Sequence, residues 1–325
     1  MVPGGHYHLG NPDPGRIQSN RIRVFTTQPE AAFAPAIAFG LCGEFNWSGF
    51  ALDLFGLVIG RSKALSSAML SYQHAYHAGN PADLHKHLAL AELLGLLIRK
   101  PRGISYMETH AGRGRYDLGA AESRKTGEAN EGINALALPD CPLRSAIGKT
   151  RARFGDAAYP GSPLIAQTLL REQDRLHLME LHPAEFGALR KALRSENTAV
   201  HHRDGYEGVL SLSPPRPRKG LVLIDPSYEV KTEYAKVADF THRLMRKWPE
   251  ATVMIWYPLL RAGQHEELLA GLKLKYIRHE VSFDLLGGEG MQGSGLVLVN
   301  APYGSDAILE RVLSSGQPVL RHLPR

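Results

Sequence analysis

Short apolar runs separated by longer stretches of mixed polarity set the pattern of this chain from residue 69 onward. Runs at 104–107, 176–181, 198–202, 220–224 and 251–258 are rich in aliphatic and aromatic residues and stop at polar or turn-forming ones. Such runs predict strands buried on both faces, the kind found in a parallel sheet. Residues 276–284 and 294–300 supply two further strands, and helix-compatible stretches lie between the runs. The pattern therefore predicts an α/β fold. The sharpest run is Gly220-Leu221-Val222-Leu223-Ile224, stopped by Asp225-Pro226-Ser227-Tyr228. Proline cannot continue the ladder, so Asp225 and Tyr228 are placed at the carboxyl end of a central strand. Open α/β sheets bind ligands there. Taken alone, the motif is equally well an ordinary Asp-Pro turn.

A helix is predicted from Asn80 onward. Asn80 is a good N-cap, Pro81 suits the first helical position, and Asp83 complements the positive end of the helix dipole. The helix is expected to reach about Arg99, with Leu84, Leu88, Leu94, Leu97 and Ile98 on its buried side. His74, His77, His85 and His87 crowd this region. No cysteine or carboxylate set completes a metal site around them, so no metal is expected and they read as polar groups of a binding pocket.

Residues 1–68 look different. Gly4, Gly5, Pro12, Pro14 and Gly15 break the start, and the apolar stretch 31–60 is interrupted by Pro35, Glu44, Asn46 and Asp53. Arg21 and Arg23 lead into a polar stretch rather than an apolar core, which excludes a secretory signal. The expectation is a poorly ordered, dispensable extension that is not part of the native protein, with residues 69–325 as the folded domain and Met69 as the start.

Composition adds bounds rather than a function. The 325 residues suffice for one large domain or two modest ones, and 43% hydrophobic with 22% charged residues is ordinary for a soluble globular protein. A net charge of +6 permits a polyanionic partner. Two cysteines, Cys42 and Cys141, match no metal spacing and point to a reducing, cytoplasmic setting without disulfides. No run approaches the roughly 18 apolar residues of a membrane span, so no membrane association is expected.

Three motifs carry the chemistry. The first is Tyr72-Gln73-His74-Ala75-Tyr76-His77-Ala78-Gly79-Asn80, followed by Ala82-Asp83 and Lys86-His87. The second is Glu108-Thr109-His110-Ala111-Gly112-Arg113-Gly114. Asp117 stands where a dinucleotide fingerprint has its third glycine, which argues against a nicotinamide or flavin cofactor. The third is Asp225-Pro226-Ser227-Tyr228, which is similar to the (Asp/Asn)-Pro-Pro-(Tyr/Phe) signature of methyltransferases acting on exocyclic amino groups; Ser227 departs from it. From Met69 to about Tyr303 the chain resembles the RlmJ family, 23S ribosomal RNA adenine-N6 methyltransferases, whose own start corresponds to Met69.

The resemblance implies a class I, Rossmann-like, seven-stranded sheet with its last strand antiparallel, S-adenosyl-L-methionine as cofactor and 23S rRNA as partner. The RNA is expected to be protein-free or in an early assembly intermediate, and the enzyme a monomer. His87, His110, Ser162, Glu180, Asp204 and Gly205 are implied to line the cofactor pocket. Ser162 also reads as an N-cap before Pro163, Glu180 as the acceptor for the ribose hydroxyls, and Asp204-Gly205 as an adenine contact or a plain turn. Glu180 follows Gly114 by far more than the usual spacing, so residues of about 117–158 are expected to form a helical insertion. Arg144, Lys149, Arg151 and Arg153 within it are singly a solvated helix face, and as a group are able to meet phosphates.

In this scheme Asp225, with the Pro226 carbonyl, accepts hydrogen bonds from the adenine amino group and then takes its proton. In-line positioning does much of the remaining work. Tyr228 stacks on the extruded base. Tyr72, His74 and Lys86 come from the amino-terminal segment to the target RNA, and Lys86 holds either a phosphate or the Asp225 carboxylate. A DNA adenine-N6 methyltransferase and a non-catalytic RNA-binding module are the alternatives.

Overall fold

The computed structural model describes residues 74–284 and 290–323. Contacts divide the chain into two units, Met1–Asp53 and Leu54–Arg325, and every described residue belongs to the second. The expectations for residues 1–68 and for Tyr72 lie outside the described residues.

In chain order the elements are α1 (Pro81–Leu97), β1 (Ser105–Glu108), β2 (Arg115–Asp117), α2 (Ala121–Thr126), α3 (Pro142–Phe154), β3 (Ala158–Pro160) and α4 (Ser162–Leu169). Then follow β4 (Arg175–Glu180), α5 (Pro183–Ala192), β5 (Thr198–His202), α6 (Gly205–Leu212), β6 (Gly220–Ile224) and α7 (Glu233–Lys247). The chain continues through β7 (Ala251–Leu260), α8 (His265–Gly271), β8 (Tyr276–Ser282), β9 (Met291–Val299), α9 (Ser305–Gly316) and β10 (Arg321–His322).

The main sheet runs β10-β8-β9-β7-β6-β1-β4-β5. Strands β7, β6, β1, β4 and β5 are mutually parallel, and β9 lies antiparallel between β7 and β8. The sheet has eight strands rather than seven. The extra one, β10, is a two-residue exposed edge paired to β8, and so short a polar strand leaves no apolar period to read. Strands β2 and β3 pair separately and bring the two ends of the helical segment 117–158 together.

Alternation along β6 shows why its run is apolar throughout. Leu221 and Leu223 enter one core with Leu84, Leu88 and Ile308, while Val222 and Ile224 enter the opposite core with Phe240 and Trp248. Successive strand side chains point to opposite faces, and both faces are covered. Helix α1 packs against α3, α4 and α9. It is buried nearly all round, not on one side, and it ends at Leu97 rather than near Arg99. Its first turn is as predicted: the Asn80 side chain accepts from the Asp83 backbone N–H at 2.8 Å, and Pro81 opens the helix.

One close approach constrains this architecture. A β-carbon on Gly205, the first residue of α6, would lie 1.9 Å from the Thr109 carbonyl oxygen. Backbone cannot yield cheaply there. Gly205→Ala should therefore lower stability by about 1–3 kcal/mol, as overpacking does. Gly148, inside α3, has nothing within 4 Å of the same position, so Gly148→Ala should stabilise by roughly 0.5–1 kcal/mol through helix propensity. Chemical denaturation of both variants checks the opposite signs.

Candidate active site

Helix α1 supplies Asp83, Lys86 and His87, spaced so that they share one face. Lys86 is buried, and its Nζ lies 2.6 Å from Asp225 Oδ2 and 3.0 Å from Asp83 Oδ1. The strand-end carboxylate is thereby tied to the first turns of α1. Burial alone would push the Lys86 ammonium down, but Asp225 and Asp83 outweigh it and raise its pKa. Burial likewise works against the Asp83 carboxylate, yet His74 and Lys86 beside it hold it well below the usual carboxylate range. Asp83 Oδ2 also accepts from the Gly79 N–H and contacts His74 Nε2, each at 2.9 Å. Of the two partners expected for Lys86, the Asp225 carboxylate is in direct contact with it.

A first cavity of about 120 Å³ opens beside this cluster, lined by His87, His110, Gly112, Ser162, Glu180 and Asp225 among others. Gly112 has φ +59°, and a β-carbon there would meet the Tyr116 hydroxyl at 2.7 Å. Glycine therefore lets the loop after β1 fold back on itself. Its N–H donates to Glu180 Oε2 at 2.7 Å, and the His182 N–H donates to Oε1 at 2.7 Å. Both Glu180 oxygens are thus oriented before any ligand arrives, although burial pushes this carboxyl up.

Ser162 is not the N-cap. Gly161 occupies that position, and Ser162 is the first helical residue of α4, its hydroxyl donating to Glu108. Burial raises Glu108 to about 8, and the Tyr106 hydroxyl donates to its other oxygen. Burial thus favours the neutral form of Glu108 far more than in an ordinary glutamate, while the Ser162 and Tyr106 hydroxyls oppose it. Burial also pushes His87 down to about 3, so its ring is neutral, with Nδ1 2.8 Å from the Tyr159 hydroxyl. His110, lowered by burial, meets the Tyr206 ring edge-on at 5.3 Å.

Asp204 and Gly205 are not among the residues lining this cavity. Asp204 caps α6, accepting from the Glu207 N–H at 3.0 Å, and Gly205 presses on the Thr109 backbone. The Asp-Gly pair is a helix start rather than a turn. Of the four histidines near α1, His85 points elsewhere, to Ser294 and His279 at 2.9 Å each. His77 contacts Glu128 at 2.9 Å.

A second cavity, of about 220 Å³, lies on the other side of Asp225. It shares His74, Lys86, Asp225 and Ser227 with the first. Tyr228 and Trp256 line it. Tyr228 takes φ +55°, its hydroxyl donates to the Trp256 carbonyl at 2.8 Å, and its ring packs on Tyr234 at 4.5 Å. The Trp256 indole N–H donates to Ser294 Oγ at 2.8 Å, and Lys86 Nζ lies 5.6 Å from its ring centre. Sequence reasoning missed Asp83 as an ion-pair partner and Trp256 as a cavity wall. The spacing of Asp83 and Lys86 signals the first, and an aromatic residue near the end of β7 signals the second.

Comparisons with known proteins agree with this geometry. The family described as Ribosomal RNA large subunit methyltransferase D, RlmJ, matches residues 101–315. A Haemophilus influenzae protein named Ribosomal RNA large subunit methyltransferase J is 38% identical over 258 residues, covering 75% of this chain and 92% of its own. Its Escherichia coli namesake is 36% identical over 257 residues, with the same coverage of 75% and 92%. The crystal structure of a Legionella pneumophila protein superposes with a TM-score of 0.67 at 35% identity, covering 76% of this chain and 97% of that one. With its class I sheet and a Gly-rich loop at the end of β1, the chain belongs to the RlmJ family of S-adenosylmethionine-dependent large-subunit ribosomal RNA methyltransferases.

Proposed function

We propose that this enzyme methylates the N6 amino group of an adenine in 23S rRNA. The observation that carries the reading is the position of Asp225, at the wall shared by two cavities. One cavity has the groups that suit the cofactor. The oriented Glu180 carboxylate is placed for ribose hydroxyls, and the backbone around Gly112 and the start of α4 admits the close approach of a polar ligand. Bound there, S-adenosylmethionine supplies a sulfonium-held methyl group. The other cavity, with Tyr228 and Trp256 in its walls, suits a flat base drawn out of its stack.

Asp225 acts on the amino group. Lys86 holds its Oδ2, which leaves Oδ1 to accept a hydrogen bond from the amino group and later its proton. Together with the Pro226 carbonyl, this acceptor draws the adenine nitrogen out of conjugation and aims its lone pair. Glu108, whose ionisation burial disfavours, adds less negative charge beside Asp83 and Asp225 than an exposed glutamate would. The +6 net charge suits a bare RNA partner. Our reading is of a cytoplasmic monomer acting on protein-free 23S rRNA or an early assembly intermediate. Transfer of labelled methyl to matched RNA and DNA hairpins, with mapping of the modified atom, tests it; labelling of DNA alone, or of an atom other than N6, overturns it.

Two variants probe the site. Asp225→Ala should lower the single-turnover methylation rate by about 10²–10⁴-fold, the usual worth of a positioned general base. Cofactor affinity by calorimetry should change far less, because Asp225 serves the amino group. Ser227→Pro restores the second proline of the signature. Ser227 is exposed and makes no hydrogen bond among the described residues, so activity should stay within about twofold, with a small gain from a stiffer turn. Steady-state kinetics of that variant decide whether Ser227 has a role of its own.

A further inference from the structure

A third cavity, of about 360 Å³, lies in the helical segment between β2 and β3. Arg151, on α3, reaches into it half-buried; its Nε is buried and has no hydrogen-bond partner. Among the described residues Arg151 makes no ion pair, and neither does Arg124, which lines the same cavity. A guanidinium cannot escape burial by losing its proton. The buried Nε of Arg151 is thus an unsatisfied donor on a charged group, and an anion from outside the fold would satisfy it.

The neighbouring groups fit the same ligand. Asn134 Nδ2 donates to Asn130 Oδ1 at 3.2 Å, which uses the Asn130 acceptor and leaves its NH₂ group as a donor. Asp156 is the one acidic residue lining the cavity, and it pairs with neither arginine. Two arginines and an amide lining one cavity supply donor types that phosphate oxygens accept from. Exposed Arg144, Lys149 and Arg153 on α3 extend the positive field.

The cavity backs onto the catalytic region. A β-carbon on Gly79 would lie 3.5 Å from Leu118 and 3.6 Å from Ala129, both of which line it. His77 and Asn80, on the same short loop, line the Trp256 cavity. The loop His77–Asn80 thus separates an anion site from the cavity assigned to the target base. We infer that the Arg151 cavity binds a backbone phosphate of the substrate RNA, a few nucleotides from the target adenine. The inference rests on RNA being the substrate.

The test is binding of a 23S-derived RNA hairpin by fluorescence anisotropy across a salt series, for wild type, Arg151→Gln and Asn130→Asp. Loss of one charge-assisted phosphate contact should weaken binding by about tenfold or more. It should also flatten the slope of log affinity against log salt by about 0.7–0.9. Asn130→Asp, which puts a negative charge into the cavity, should weaken RNA binding without removing an arginine. Calorimetric affinity for S-adenosylmethionine should stay unchanged in both, and Tm for Arg151→Gln should be equal to or above wild type, because that variant loses no partner and removes an unsatisfied donor. RNA affinity and salt slope equal to wild type in both variants overturn the inference. Inorganic phosphate is the second probe and should compete with RNA on the wild type. If phosphate binding needs Arg151 while RNA binding does not, the cavity takes a free anion and the RNA assignment falls. A wild-type protein that binds no RNA overturns the substrate reading itself, a result distinct from equal binding by all three proteins.

Discussion

A buried lysine between two carboxylates is the constraint on which this site depends. Lys86 meets Asp83 on its own helix and Asp225 at the end of β6. Removing Lys86 leaves two neighbouring carboxylates without their shared cation, and breaking a buried pair in this way costs about 3–5 kcal/mol. The triad therefore does two jobs. It locks α1, the most buried helix, to the carboxyl edge of the sheet. It also fixes the rotamer of the carboxylate that faces both cavities. Asp83 extends the same network to the Gly79 N–H and to His74, so the short segment before α1 is held by the charges that hold Asp225.

The remaining electrostatics follow from keeping that triad balanced. Glu108 and His87 are buried next to it, and burial pushes Glu108 up to about 8 and His87 down to about 3. Ser162 and Tyr106 satisfy the Glu108 carboxyl, and Tyr159 satisfies His87. The first cavity thus presents Glu180 with both oxygens aimed by backbone donors. On the other side of Asp225, Tyr228 and Trp256 are fixed by hydrogen bonds to a carbonyl and to Ser294. Prepaid orientation of this kind is what positioning catalysis requires.

Much of this was legible in the residues. The apolar runs gave the central strands because a strand buried on both faces has no polar alternation. Asn80-Pro81 marked the helix start through capping chemistry that is purely local. The limits are equally physical. Lys86 and Asp225 are far apart in sequence, and no local rule pairs them; the residues left open whether Lys86 met a phosphate or a carboxylate. Ser162 was read as an N-cap from its position before Pro163, but an N-cap needs a side chain folded back on its own helix, and the Ser162 hydroxyl is taken by Glu108. Asp204-Gly205 reads locally as a turn or a ligand contact, and nothing local shows that Gly205 also gives clearance against Thr109. Close backbone approach between distant segments leaves no periodic trace. The two-residue β10 is too short to leave one.

If Lys86 and Asp225 act as one unit, a double-mutant cycle measures it directly. Single-turnover methylation rates are compared for wild type, Lys86→Met, Asp225→Asn and the double variant, each checked for folding and for S-adenosylmethionine binding. Strong non-additivity is expected: the double variant is little slower than the slower single variant, with a coupling energy of about 1–3 kcal/mol. Rate losses that simply add would contradict it, because the ion pair would then be incidental to the chemistry.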